Sequence, residues 1–218
     1  MFKSQLTSAL FVVLFFLSPT YGEFELLQLV LTWPASFCYA NHCERIAPNN
    51  FTIHGLWPDN VTIRLQYCKP KPTYTTFAGK MLNDLDKHWI QLKYKEAYAR
   101  REQPTWKYQY QKHGSCCQTK YKQIPYFSLA LRLKDRFDLL TTLRTHHIVP
   151  GSSYTFDDIF DAVKTVTQMN PDLKCTEVTK GTQELDEIGI CFTPKADKMF
   201  PCRQSDTCEK TRKILFRG

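Results

Sequence analysis

Two short stretches, Phe51-Thr52-Ile53-His54-Gly55-Leu56-Trp57-Pro58 and Lys112-His113-Gly114-Ser115-Cys116, decide how this chain is interpreted. Each places a histidine directly before a glycine, among residues that favour strands and turns. A pair of imidazoles suits acid–base chemistry on a phosphodiester, because one can take a proton from an attacking hydroxyl while the other protonates the leaving oxygen. The unperturbed pKa of imidazole lies near neutrality and allows both roles. We therefore take His54 and His113 as the candidate catalytic pair.

Short apolar segments and amphipathic segments alternate on both sides of these stretches. The patterns predict strands over residues 24–32, 51–55 (followed by a turn at 56–58), 106–111 and 188–192. They predict helices over residues 77–92, from the Ile124-Pro125 step to residue 140, and from a capping box at 155–158 to residue 166. Strands and helices are intermixed without a regular βαβ repeat or a Gly-rich phosphate loop, which predicts a single domain of the α+β class.

The N-terminus has the features of a secretory leader. Lys3 supplies a positive charge, Ala9–Leu17 is apolar, and the small residues Thr20 and Gly22 stand at a plausible cleavage site. The apolar run is too short to span a membrane comfortably. We therefore predict a signal peptide at residues 1–22 and a secreted, extracellular domain at residues 23–218.

The charge balance is basic, with a formal net charge of +8. The leader contains one lysine and no acidic residue, so the predicted mature chain keeps +7. A basic secreted protein can bind nucleic acid, an anionic cell wall or a membrane surface, and charge alone does not choose among them.

All nine cysteines lie in the predicted mature domain, where secretion favours disulfides. Nine is odd, so at most eight can pair within the chain. Cys116 and Cys117 are neighbours whose direct linkage would be strained, which predicts that one of them is the remaining thiol. No Cys or His spacing typical of a zinc site occurs, so we predict no metal.

Secretion also makes two Asn-x-Thr sequences candidates for glycosylation. They begin at Asn50 and at Asn60. A third asparagine, Asn170, is followed by proline and is excluded.

The other four histidines have ordinary structural or surface interpretations: His42, His88, His146 and His147. His54 and His113 differ because each ends a predicted strand beside a glycine, where side chains can meet in a cleft. Lys112 stands next to His113, and its cation would stabilise the extra negative charge of a pentacoordinate phosphorane.

The two histidine segments resemble the first and second active-site segments of the T2-type ribonucleases, and residues 31–38 resemble the opening strand of that family. The resemblance runs from about residue 24 to the C-terminal cysteines. It implies the T2-type fold, an antiparallel-rich sheet packed with helices. The basic charge, the Asn50 sequon and the Cys116-Cys117 pair further resemble the S-ribonucleases of plant styles, which act in self-incompatibility.

The resemblance implies cleavage of single-stranded RNA without metal or cofactor. The histidine at the position of His113 would act as general base on the ribose 2′-OH, and the histidine at the position of His54 would protonate the leaving 5′-oxygen. The product would be a 2′,3′-cyclic phosphate, and Lys112 would match the family's charge-stabilising lysine. Because the nucleophile is the neighbouring 2′-OH, DNA could not react by this route.

The second segment departs from the family pattern, in which a His-Glu pair precedes the lysine and histidine. Here the pair is Tyr108-Gln109. Gln109 can donate a hydrogen bond to a phosphate oxygen but cannot exchange a proton. Trp57 and Asp59 fall on positions that the family uses to hold a base, while core packing is an equal alternative for Trp57.

The resemblance also implies four disulfides, with Cys117 left free: Cys38–Cys43, Cys68–Cys116, Cys175–Cys208 and Cys191–Cys202. It implies pollen F-box proteins as partners of a monomer, and we expect their contact surface around residues 61–80, which include Lys69 and Lys71. Two alternatives stay open. One is a defence or phosphate-scavenging ribonuclease of the same fold, and the other is a non-catalytic binding or storage relative, for which Gln109 is the only supporting feature.

Overall fold

The computed structural model describes residues 24–179 and 181–218. The signal peptide predicted at residues 1–22 lies outside the described residues. Within the described ranges, no helix combines the length and the apolar character needed to cross a membrane.

In this part of the chain, seven strands and seven α-helices form the domain. The strands are Leu26–Thr32 (β1), Thr52–Asp59 (β2), Ser152–Tyr154 (β3), Asp172–Thr179 (β4), Thr182–Phe192 (β5), Met199–Phe200 (β6) and Ile214–Phe216 (β7). The helices are Pro34–Ala40 (α1), Gly79–His88 (α2), Glu96–Glu102 (α3), Pro104–Lys112 (α4), Gln123–Asp135 (α5), Leu139–Thr145 (α6) and Phe156–Thr167 (α7). A 3-10 turn, Gly114–Cys117, follows α4.

One sheet contains all seven strands, with β2, β1, β5, β7 and β3 in this order and with β4 and β6 also paired to β5. Every pairing is antiparallel except that of β5 with β7, which is parallel. The long strand β5 is therefore the centre of the sheet. The predicted α+β class and antiparallel-rich sheet are confirmed.

The core lies where the sheet meets the helices. All seven residues of β1 are buried, including the polar Gln28 and Thr32, so the strand is covered on both faces and does not alternate between core and solvent. Large aromatic side chains from the helices and loops, including Trp89, Trp106, Tyr126 and Phe127, are almost fully buried against it. The Tyr126 hydroxyl donates a 2.6 Å hydrogen bond to the carbonyl of Leu56, which ties α5 directly to β2.

Several predicted elements differ from the observed ones, and the segment 106–111 differs in type. It lies in helix α4, not in a strand, and its buried residues Trp106, Gln109 and Tyr110 are three and four positions apart, as on one helix face. The predicted turn at 56–58 is also wrong, because β2 continues through it to Asp59. The predicted helix over 77–92 is confined to Gly79–His88, and α5 ends at Asp135 before a separate α6.

Other local predictions are confirmed. Thr155 and Asp158 form a reciprocal capping box at the start of α7. The disulfides are the four implied pairs, and Cys117 is a free, buried thiol. Burial raises the pKa of Cys117 to about 12, so this thiol stays protonated and unreactive.

Candidate active site

His54 occupies a β-bulge in β2. The register pairs Val30 with Gly55 and Leu31 with Ile53, so His54 has no partner residue on β1. A bulge turns the extra residue out of the regular alternation and re-aims its side chain. A bulge within β2 therefore positions the imidazole of His54. The prediction that His54 lies at the end of a strand is wrong, because β2 continues to Asp59.

The imidazole of His54 is directed at a buried carboxylate on β5. Its Nδ1 forms a hydrogen bond with Glu187 Oε1, and the Lys174 ammonium donates a 2.9 Å hydrogen bond to Glu187 Oε2. Lys174 on β4 and Glu187 on β5 are directly opposite each other in the sheet. The Glu187 carboxylate therefore accepts one hydrogen bond from His54 and one from Lys174. The contact fixes the orientation of the His54 ring and leaves the Nε2 atom of His54 available to a substrate.

The charge of Glu187 is maintained inside the protein. Burial by itself would raise the pKa of this carboxyl, but the charges of His54 and Lys174 and their hydrogen bonds outweigh burial and lower the pKa to about 2. The neighbouring Asp186 shows the opposite balance, because burial and the charge of Glu187 raise its pKa to about 6. Glu187 is thus an anion over the whole physiological range.

His113 caps the C-terminal end of α4, where its backbone N–H donates a 2.8 Å hydrogen bond to the carbonyl of Gln109. The chain then enters the 3-10 turn, and Gly114 packs so closely that a Cβ there would overlap the ring of Tyr110. The Ser115 hydroxyl accepts a 3.0 Å hydrogen bond from the N–H of Cys68, beside the Cys68–Cys116 disulfide. These contacts fix the backbone at His113 and at the two residues that follow it.

The ring of His113 is buried and neutral. It stacks on Trp57 with ring centroids 4.8 Å apart and planes inclined by 19°. Burial, followed by the positive charges of Lys112, His54 and Lys174, lowers the pKa of His113 to about 3. At neutral pH this imidazole is therefore unprotonated and able to accept a proton.

Trp57 and Gln109 connect the two histidines. The Trp57 indole N–H donates a 3.1 Å hydrogen bond to Gln109 Oε1, and its ring meets the edge of His54 at 5.4 Å between centroids. The Lys174 ammonium lies 4.3 Å from the centroid of the Trp57 ring. A Cβ on Gly55 would overlap the indole nitrogen and lie 2.7 Å from Gln109 Oε1, so glycine is needed for this close approach.

A cavity of about 270 Å³ brings the predicted site residues together. It is lined by His54, Trp57, Asp59, Arg64, Leu65, Gln66, Tyr108, Gln109, Lys112 and His113. All six residues predicted for catalysis or base binding are among them. A second cavity of about 480 Å³ shares His54, Tyr108 and Gln109 with the first and extends toward residues 89–94. Both imidazoles therefore face the smaller cavity, and His54 also lines the larger one.

Asp59 is occupied by its own loop. Its Oδ1 accepts hydrogen bonds from the N–H groups of Leu65, at 2.6 Å, and Asn60, at 3.2 Å. Burial raises the pKa of Asp59 despite these two bonds and the nearby cations Arg203 and Arg64. One oxygen of Asp59 thus anchors the wall of the cavity.

Sequence reasoning missed Glu187 and Lys174. A signal was present for Glu187, since the charged segment Glu-Leu-Asp-Glu at 184–187 directly precedes the apolar run 188–192, and buried charges are expected only in pairs. Among the described residues, no group of three or more His, Cys, Asp and Glu side chains is arranged to hold a metal ion.

The remaining predicted residues lie outside the cavity. Asn50 is on an exposed loop, where its Oδ1 accepts a 2.7 Å hydrogen bond from the N–H of Phe51. Asn60 is partly buried. Glycosylation at either asparagine stays a prediction.

The chain is similar over most of its length to known ribonucleases. Residues 24–202 match the model of the Ribonuclease T2 family. Ribonuclease S-F11 of Nicotiana alata is 77% identical over 195 residues, which cover 89% of this chain and 100% of that protein. Ribonuclease S-2 of Solanum tuberosum is 60% identical over 222 residues and covers 100% of both chains. The crystal structure of the gametophytic self-incompatibility associated SF11-RNase of Nicotiana alata superposes with a TM-score of 0.89 at 77% identity, over 89% of this chain and 100% of that one.

Proposed function

Because the chain belongs to the Ribonuclease T2 family, we propose that it is a secreted endoribonuclease in which His54 and His113 cleave single-stranded RNA without a metal. The observation that supports this proposal is the shared cavity of about 270 Å³, in which both imidazoles are held in opposite electrostatic surroundings. One is buried among cations, and the other is paired with a buried carboxylate. Acid–base catalysis requires such a difference between two groups of the same type.

His113 is the proposed general base. Its neutral ring takes the proton of the ribose 2′-OH as the 2′-oxygen attacks the adjacent phosphorus. A pKa of about 3 by itself makes His113 a weak base. A bound phosphodiester brings a negative charge beside the ring, which raises the pKa of His113 and strengthens the base when substrate is present.

His54 is the proposed general acid. In its protonated form it makes an ion pair with Glu187 through Nδ1, so the proton on Nε2 is the one available to the leaving 5′-oxygen. The reaction then ends with a 2′,3′-cyclic phosphate and a free 5′-hydroxyl. Both imidazoles have exchanged protonation states, and water restores them.

Two further residues act on the phosphate. The Lys112 ammonium lines the cavity next to His113 and would neutralise the charge that accumulates on the phosphorane oxygens. Gln109 uses its Oε1 for Trp57, which leaves its amide N–H₂ to donate to a phosphate oxygen. The two connected cavities would accept the nucleotides on the two sides of the cleaved bond, and we propose that free edges of Trp57 and Asp59 contact a base there.

The decisive experiment compares wild type with His54→Asn, His113→Asn and the control His42→Asn. His42 is 85% exposed and lies outside both cavities, so its replacement matches the chemistry of the other two without touching the site. In EDTA, wild type and His42→Asn should release acid-soluble nucleotide from single-stranded RNA, and phosphorus NMR should show the cyclic phosphate. A loss of about 10²-fold or more is expected for each of the other variants. Full activity in both would refute the site, and an inactive wild type would refute the enzyme.

For the biological role, we propose the rejection of self pollen in the style, with pollen F-box proteins recognising the surface at residues 61–80. The support is the similarity to Ribonuclease S-F11 and Ribonuclease S-2, and to the self-incompatibility associated SF11-RNase of Nicotiana alata. Style-restricted expression and allele-specific pollen rejection after transfer of the coding sequence would be the expected results. Induction by phosphate starvation or wounding in other tissues would favour the scavenging or defence alternative.

A further inference from the structure

A cavity beside the catalytic one carries a concentration of positive charge that the cleavage chemistry does not use. Its volume is about 430 Å³. The described residues that line it include Lys69, Lys120 and Lys122, and none of the lining residues is acidic. Its remaining walls are formed by Phe24, Leu65, Cys68, Pro70, Ser115, Cys116, Gln118, Thr119 and Pro194. We call this space the lysine cavity.

The lysine cavity continues the catalytic cavity along two stretches of chain. Residues 64–66 and 112–113 line the catalytic cavity, and residues 68–70, 115–116 and 118–120 line the lysine cavity. Leu65 lines both. At most about 11 Å of extended chain can separate Leu65 from Cys68, so the two spaces are within reach of one short oligonucleotide.

The ammonium groups of the lysine cavity are free to bind a ligand. Within residues 24–179 and 181–218, none of the three lysines forms an ion pair, whereas Lys80 and Lys174 do. All three are exposed to solvent. Positive charges gathered without a protein counter-ion lower the cost of bringing a polyanion to this surface.

The floor of the lysine cavity is rigid. The Cys68–Cys116 disulfide lies in its wall, and the Ser115 hydroxyl accepts from the N–H of Cys68. The Gln118 amide donates a 2.5 Å hydrogen bond to the carbonyl of Pro70. The same disulfide holds the segment that carries His113, so the backbone of this cavity is tied to the backbone that carries the base.

We propose that the lysine cavity binds backbone phosphates of the RNA strand beyond the cleaved bond, so that the enzyme prefers oligonucleotides to dinucleotides. This inference rests on the proposed ribonuclease function. The strand would leave the catalytic cavity over Leu65 and place its next phosphates near Lys120 and Lys122. Contacts of this kind depend on charge, not on base identity, and they weaken with salt.

The test compares the double variant Lys120→Glu/Lys122→Glu with the control Lys164→Glu/Lys213→Glu. Both change the net charge equally, and the control lysines are exposed and line neither cavity. For each protein, kcat/KM is measured on a dinucleotide, which has only the cleaved phosphate, and on a 12-mer RNA at several salt concentrations.

The expected result is that the ratio of kcat/KM for the 12-mer to that for the dinucleotide falls about tenfold in the first variant and less than twofold in the control. The slope of log kcat/KM against log salt for the 12-mer should fall by roughly 0.7 for each phosphate that the variant no longer binds. Equal ratios in the two variants would overturn the proposal. If wild type cleaves neither substrate, the proposed ribonuclease function is wrong. In that case the fluorescence anisotropy of a labelled 2′-O-methyl 12-mer measures the affinity of each variant. Weaker binding by Lys120→Glu/Lys122→Glu than by the control would still support the lysine cavity as the binding site.

Discussion

Replacing the buried carboxylate of Glu187 by an amide should separate the acid chemistry of His54 from the general stability of the sheet. Glu187→Gln keeps the size of the side chain but removes the charge that His54 and Lys174 share. Glu184→Gln is a matched control on the same strand. Glu184 is also fully buried and paired, but its partner is Arg217, away from the catalytic cavity.

The pKa of Glu187 gives the size of the effect. A decrease from 4.5 to about 2 corresponds to about 3 kcal/mol of net favourable interaction of the ionised form in the folded state. Because the folded-state pKa lies below the unfolded one, this stability is present above pH 4.5 and is lost as the pH falls toward 2. Wild type should therefore exceed Glu187→Gln by about 3 kcal/mol in free energy of unfolding at pH 7, and the difference should shrink steadily below pH 4.5.

Glu187→Gln should also change the activity and its pH dependence, which Glu184→Gln should not. Because the Glu187 carboxylate holds the His54 ring in place for proton donation, kcat should also fall, by about tenfold if about 1.4 kcal/mol of transition-state stabilisation is lost. The basic limb of the kcat/KM profile, where the proton donor is lost, should move to lower pH. Urea denaturation and pH–rate profiles of the three proteins measure both effects. The reasoning is refuted if Glu187→Gln is as stable as wild type at pH 7, or if its basic limb coincides with those of wild type and Glu184→Gln.

Three other changes test separate parts of the site. Gly55→Ala forces a Cβ against Trp57 and Gln109, so the free energy of unfolding in urea should fall by about 1–3 kcal/mol and the ribonuclease activity should fall with it. Wild-type values in both assays would show that the close approach is not needed. Gln109→Glu places a carboxylate in the cavity that His113 lines, and its negative charge should raise the pKa of His113. The acid limb of the kcat/KM profile should then move to higher pH, and an unmoved limb would contradict the assignment of His113 as the base. The double variant Cys68→Ala/Cys116→Ala opens a link between residues 48 positions apart, and calorimetry or urea denaturation should show a loss of about 4 kcal/mol, with a value near zero as the contrary result.

The sequence was informative where local chemistry decides structure. The capping box at Thr155, the strand at 188–192 and the helix opened by the Ile124-Pro125 step were all predictable from residues that are neighbours in the chain. The disulfide pairing was predictable only through family resemblance, because nine cysteines leave many pairings open.

The type of segment 106–111 was predicted wrongly because six residues are too few to separate two periods. Trp106, Tyr108 and Tyr110 alternate as in a strand, yet Trp106 and Tyr110 are also four apart as on a helix face. Tyr108 is exposed and the other two are buried, which only the helix explains. Pro104 at the first turn of α4 was the available signal.

The partners of His54 could not be predicted from local patterns. Glu187 is 133 residues away along the chain, and the contact depends on a bulge that no turn residue announces. Only the antiparallel pairing of β2 with β1, of β1 with β5 and of β5 with β4 brings His54, Glu187 and Lys174 close together in the sheet. Long-range register of this kind is a property of the whole fold.

The central position of β5 has a consequence for biosynthesis. The strands that carry Lys174 and Glu187 are translated long after His54 and His113, and β7, which completes the pairing of β5, comes within the last residues of the chain. A nascent chain that ends before β4 therefore contains His54 and His113. It lacks the Glu187 carboxylate that orients the His54 ring, and it lacks the central strand of the sheet. The orientation of the His54 ring can therefore be completed only after β4 and β5 have been synthesised and have paired.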